Sequence, residues 1–171
     1  MSMQGARNQA ERSNCSQEVI RAMEEFLWTI LNNDSRDKVI SKLMACGEYA
    51  KPYLNVVNGN DPGNTISAAV SYYQYVKLIR GELRISKDYL VDIDEDLTEP
   101  TMTYSLIVEA LIRALKAQDY ITAGFLADLA FITRSYILCM NNNGDNSCDW
   151  TRRAFKVRAL ILKRFSNYRL A

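Results

Sequence analysis

The sequence predicts an all-α protein: a single compact bundle of about six helices with an acidic loop near its middle. Three observations predict it. Apolar residues recur at spacings of three and four along most of the chain, which places them on one side of a helix. Only 7 Gly and 3 Pro occur in 171 residues, little material for the turns of a sandwich or barrel. The composition, 48% hydrophobic with 24% charged residues, is that of a chain that buries a core.

Residues 1–14, rich in Gln, Asn, Ser and Arg, read as a flexible N-terminal arm, leaving 15–171 as a single helical domain. Ser16 is expected to cap a first helix reaching about Asn32, with Val19, Ile20, Met23, Leu27, Ile30 and Leu31 on its apolar face. Asn32 to Asp34 stop it. Asp34 and Asp37 resemble a capping pair for a second helix carrying Val39, Ile40, Leu43 and Met44. Gly47 weakens its end, and Pro52 opens a short turn of helix with Tyr53, Leu54 and Val57.

Residues 58–64 (Asn-Gly-Asn-Asp-Pro-Gly-Asn) hold nearly every turn-forming residue type. A third main helix follows from about Thr65, with Gly81 suited to its C-terminal cap. Residues 82–100 read either as a short helix with extended chain or as a small strand pair. They end in the acidic run Asp92, Asp94, Glu95, Asp96 and Glu99, and a sub-boundary is expected near 92–100. Helices are then expected over Thr103–Gln118 and Tyr120–Met140. The second is apolar on most sides, which suits a bundle centre or a subunit interface. A polar loop at 141–147 precedes a final helix from Asp149.

Ala114-Leu115-Lys116-Ala117-Gln118-Asp119-Tyr120, with Ala123, Ala127 and Ala130, is similar to the turn and second helix of a tetratricopeptide unit. Leu111 stands where the unit has a small residue, and no second copy follows at that family's period, so a tight helical hairpin is expected instead. Cys148-x-Trp150-Thr151, opening a basic last helix, resembles the final helix of the helical cytokines. The cysteine spacing differs, and the resemblance implies nothing further about function.

Histidine is absent, which removes the commonest general base, the usual triads and most zinc sites. No glycine-rich phosphate loop occurs. Asp92, Asp94 and Asp96 imitate the opening of a calcium loop, but Leu97 replaces its glycine and Thr103 its closing glutamate. The expectation is a non-enzymatic protein with no cofactor, no metal and no small-molecule substrate. Cys15, Cys46, Cys139 and Cys148 lack metal-site spacing. With no signal peptide visible before Asn14, they read as free thiols in an intracellular chain, cytoplasmic or nuclear, although a mature secreted chain presents the same signals. No run of about 18 apolar residues is seen, which argues against a membrane span.

Charge is segregated. Residues 149–171 hold seven basic residues against the single acid Asp149, a net +6, and since the whole chain is at +1 the other 148 residues sum to −5. Arg152, Arg153, Lys156, Lys163, Arg164 and Arg169 are therefore the candidate contacts to RNA or DNA. The alternatives are ion pairs with the acidic loop at 92–99, within or between subunits, and an anionic membrane surface. Tyr72, Tyr73 and Tyr75 crowd one segment, so at least one is expected at the surface; with Phe131 they form the candidate protein interface, toward a second copy or another protein.

Overall fold

The computed structural model describes residues 3–60, 67–90, 92–142 and 148–166, with the side chains of 3–14 and 67–70 outside that description. Its described residues form seven α-helices and no strand. They are α1 (Met3–Asn32), α2 (Asp37–Met44), α3 (Lys51–Val57), α4 (Ser67–Ile79), α5 (Pro100–Lys116), α6 (Tyr120–Asn142) and α7 (Asp149–Phe165), with 3₁₀ turns at Gly47–Ala50 and Lys87–Leu90. The chain divides into two compact units, Met1–Val76 and Lys77–Ala171. The division falls inside α4, whereas the sequence suggested one domain with a sub-boundary near 92–100; that acidic stretch lies within the second unit.

Ser16 caps nothing. Helix α1 continues back to Met3, because the expected arm is made of good helix formers (Gln, Ala, Arg, Glu) with no proline and one glycine. It stops where expected, at Asn33 in the left-handed region (φ 58°), with the Asp34 N–H bonded to the Thr29 carbonyl at 2.8 Å. The Asp34–Asp37 capping pair does not form. Arg36 occupies the cap position without a side-chain cap bond, and its guanidinium instead donates to the Val57 carbonyl at 2.7 Å. Within the first unit, Lys42 of α2 pairs with Glu25 of α1 at 2.8 Å, over a core that includes Val19, Met23, Phe26, Leu27, Leu43 and Val56.

The loop expected at 58–64 is described only to Asn60, and Thr65 lies outside the described residues. Gly81 closes α4 as expected: its φ is 76°, and the Glu82 N–H reaches back to the Lys77 carbonyl at 2.9 Å. In place of a strand pair, the described residues of 82–99 hold the 3₁₀ turn and irregular chain. In the second unit α5 packs chiefly on α6, which also packs on α7. Asp119 caps α6, its two carboxylate oxygens accepting from the Thr122 N–H (3.2 Å) and hydroxyl (2.6 Å). Ile107, Ala110, Leu126, Leu129, Phe155 and Ile161 are completely buried there.

The cysteines correct the free-thiol reading. Cys15 is bonded to Cys46 and Cys139 to Cys148, with Cα separations of 5.7 and 5.8 Å. Each bridge stays inside one unit. The first ties α1 to the chain leaving α2, a pairing that spacing in sequence does not reveal.

Candidate protein interface

The basic helix meets its own acidic loop. Asp94 organises that loop: one carboxylate oxygen accepts the Asp96 N–H at 3.0 Å, the other the Thr98 N–H and hydroxyl at 3.1 and 2.5 Å. Leu97 takes a left-handed φ of 51° and buries its side chain. These bonds occupy the carboxylate that a calcium loop would turn toward a metal. Among the described residues, no group of three or more Asp, Glu or Cys is arranged to hold one.

Onto this loop α7 lays its cations. Lys163 pairs with Glu95 at 2.7 Å and also donates to the Ile93 carbonyl. Lys156 pairs with Asp96 at 3.0 Å, and the Arg152 guanidinium donates to the Asp96 carbonyl at 3.2 Å. Arg153 and Arg164 are exposed on the helix, and Arg164 lies 5.5 Å from the centre of the Phe165 ring. Arg169 lies outside the described residues. Of the six candidate nucleic-acid contacts, three are thus bonded to the loop. Arg158, absent from that candidate set, is 3% exposed; it pairs with Asp128 of α6 at 2.9 Å and donates to the Ala154 carbonyl. A lone cation among apolar positions 157–162 was visible in the sequence, but neither its burial nor its partner 30 residues earlier was.

Two carboxyl groups of the loop titrate below their ordinary range. For Asp94 the main cause is the Thr98 hydroxyl, followed by the Asp96 and Thr98 N–H groups; for Glu95 it is the Lys163 ammonium. A depressed carboxyl contributes stability above its unfolded pKa and loses it as pH falls through its folded value. The clasp should therefore hold at neutrality and weaken progressively below about pH 4. Both groups are largely solvated, so the effect is small. Thermal melts from pH 7 to 3 should show an acid-sensitive component that Glu95→Gln reduces.

The tyrosine cluster also requires correction. Tyr72, Tyr73 and Tyr75 are all buried, at 7%, 9% and 1% exposure, and the Tyr72 hydroxyl donates to Glu24 at 2.9 Å. The burial of α4 spans a wider arc than the roughly 100° stripe of a one-sided helix, so three neighbouring rings find cover together. They offer no outer contact.

Phe131 is different: 69% of it is exposed. It belongs to an outer stripe of α6 formed by Tyr120, Gly124, Ala127, Phe131, Arg134 and Leu138, all exposed and spaced alternately by four and three residues. Tyr120 is 67% exposed and Leu138 49%. The opposite side of α6 buries nine residues, among them Phe125, Leu126, Leu129 and Tyr136. By length and composition α6 also suffices to cross a membrane, which the search for a purely apolar run in the sequence did not register. Gly124 packs against nothing among the described residues. An added Cβ would meet nothing within 4 Å, and glycine inside a helix costs roughly 1 kcal/mol relative to alanine.

The second unit also holds a cleft of about 430 Å³ lined by Asp88, Tyr89, Asp92, Glu109 and Arg113, with the Arg113 guanidinium 5.5 Å from the centre of the Tyr89 ring. Among the described residues of its wall, Arg113 is the one cation beside three carboxylates. No family model matches this chain, and neither a curated protein nor a solved structure matches it.

Proposed function

We propose that this protein is a non-enzymatic interaction module, a pair of small helical bundles whose contact surface is the outer face of α6. The observation that carries this reading is the solvent exposure of Tyr120, Phe131 and Leu138 along one line of a helix whose other side is core. Aromatic and aliphatic side chains gathered in one exposed strip mark protein contact surfaces. Residues at the basic end favour the same reading by subtraction. Lys156 and Lys163 neutralise the protein's own Asp96 and Glu95, which reduces the charge left for a polyanion. The two disulfides favour an oxidising compartment, outside the cytosol, in place of the intracellular setting expected from the sequence.

A photoreactive amino acid placed at Phe131, compared with one at exposed Glu109, tests the proposal in the cells that make the protein. Adducts to protein are expected from position 131 and far fewer from 109. Equal yields, or none at 131, overturn the reading. The nucleic-acid alternative has its own outcome: binding of single-stranded RNA that fades with salt and vanishes when Arg152, Arg153, Lys163 and Arg164 become Glu. The expected result is that those changes alter stability, through the lost clasp, and leave no such binding to abolish.

A further inference from the structure

We propose that Asn33 is an N-glycosylation site, its side-chain amide carrying an oligosaccharide transferred from a lipid-pyrophosphate donor. It rests on the oxidising compartment read from the disulfides and adds a modification made there. Asn33-Asp34-Ser35 has the acceptor pattern Asn-x-Ser/Thr with a middle residue other than proline. In the transfer, the Asn33 Nδ2 attacks the anomeric carbon of the donor sugar. An N–C bond forms, and the C–O bond to pyrophosphate breaks with its electron pair leaving on oxygen. The nitrogen gives up one proton, which balances the pyrophosphate released.

The triplet stands where a glycan has room. Asn33 is the left-handed residue (φ 58°) that ends α1, and every residue from 32 to 38 is exposed. Its backbone N–H reaches the Ile30 carbonyl at 3.4 Å, but its side-chain amide has no partner among the described residues. The turn requires a residue that tolerates a positive φ, for which glycine is the usual choice and asparagine an accepted one. Only asparagine of the two brings a side-chain amide to the surface. Ser35 is exposed as well, and its oxygen accepts the Asp37 N–H at 3.3 Å, which leaves its own proton to donate. The chain's other triplet of this pattern, Asn14-Cys15-Ser16, lies inside α1, and its middle residue is bonded to Cys46. Helix and bridge hold that segment in the fold, whereas Asn33 occupies a surface turn. An independent observation points to the same compartment. All four cysteines are paired, the state reached in the oxidising lumen where secreted chains acquire such glycans. A bulky, solvated glycan at Asn33 keeps the α1–α2 turn out of any protein contact.

Protein isolated from the cells that make it should migrate more slowly on a denaturing gel than the unmodified chain, by the mass of one oligosaccharide. Amidase release should abolish the difference. Release in heavy-oxygen water should leave a labelled aspartate at position 33 and none at position 14. Ser35→Ala and Asn33→Gly should each remove the shift, Ser35→Thr should keep it, and Asn14→Gln should leave it unchanged. Glycine suits the left-handed turn, so Asn33→Gly keeps the fold and should match the deglycosylated wild type in circular dichroism. Mass spectrometry of the alkylated, unreduced protein reports the cysteines of the same sample. Bridged cysteines with an unmodified Asn33 overturn the glycan and leave the compartment reading standing. Free thiols with an unmodified Asn33 overturn both. A shift that survives Ser35→Ala, or a label at position 14 alone, overturns the assignment to Asn33.

Discussion

Reducing both disulfides should destabilise each unit separately. The Cys15–Cys46 bridge closes a separation of 31 residues and the Cys139–Cys148 bridge one of 9. Restricting the unfolded chain by loops of that size contributes roughly 3–4 kcal/mol to the first unit and roughly 2–3 kcal/mol to the second. The first unit loses more in proportion, since its helices α2 and α3 are short and depend on packing. Chemical denaturation followed by circular dichroism, with and without reductant, should show both transitions move to lower denaturant. Cys139→Ser with Cys148→Ser should move only the transition of the second unit. Unchanged midpoints after confirmed reduction would mean that the bridges do not constrain the unfolded chain.

Asp128→Ala should cost about 3 kcal/mol, because it strands the Arg158 guanidinium in the interior of the second unit. Arg158 is 3% exposed, and its Nε lies 2.9 Å from the Asp128 carboxylate. Removing one partner of a buried pair leaves the other desolvated and uncompensated, so the loss exceeds the worth of the pair. For a unit of this size that loss lowers the melting temperature by more than about 10 °C. Replacing Arg158 by Met in the same protein should recover most of it, since an unbranched apolar side chain fills the volume without a charge. By contrast, Lys156→Ala should shift stability by less than about 1 kcal/mol, because Lys156 and Asp96 are about half exposed. Equal effects from the two substitutions would contradict the division between buried and surface pairs. Thermal melts of the three variants beside the wild type provide the comparison.

Helical class was legible because periodicity is local. The bounds of α5, α6 and α7 lie within a few residues of those expected, and Pro100 sits in the first turn of α5, where its missing N–H costs nothing. Polar helix formers misled the reading of α1, since a polar composition with high helix propensity resembles an arm when sequence alone is weighed. Pairings between distant residues were the other loss. Loop 92–99 and α7 are separated by more than fifty residues, so the charge segregation was visible while its neutralisation was only one of three alternatives. Cys15 and Cys46 were hidden for the same reason. On α6, sequence showed apolar residues nearly all round but did not show which arc was core. Burial of Leu129 and Tyr136 and exposure of Phe131 and Leu138 separate the two.

The most direct measurement is carbene footprinting of the protein in its native assembly, because similarly exposed apolar residues elsewhere serve as internal controls. Tyr120, Phe131 and Leu138 should be labelled several-fold less than Met44, Tyr49 and Trp150, which are also exposed in the single chain. Labelling of the α6 residues as full as that of the controls in the assembled state would contradict a contact surface on this helix.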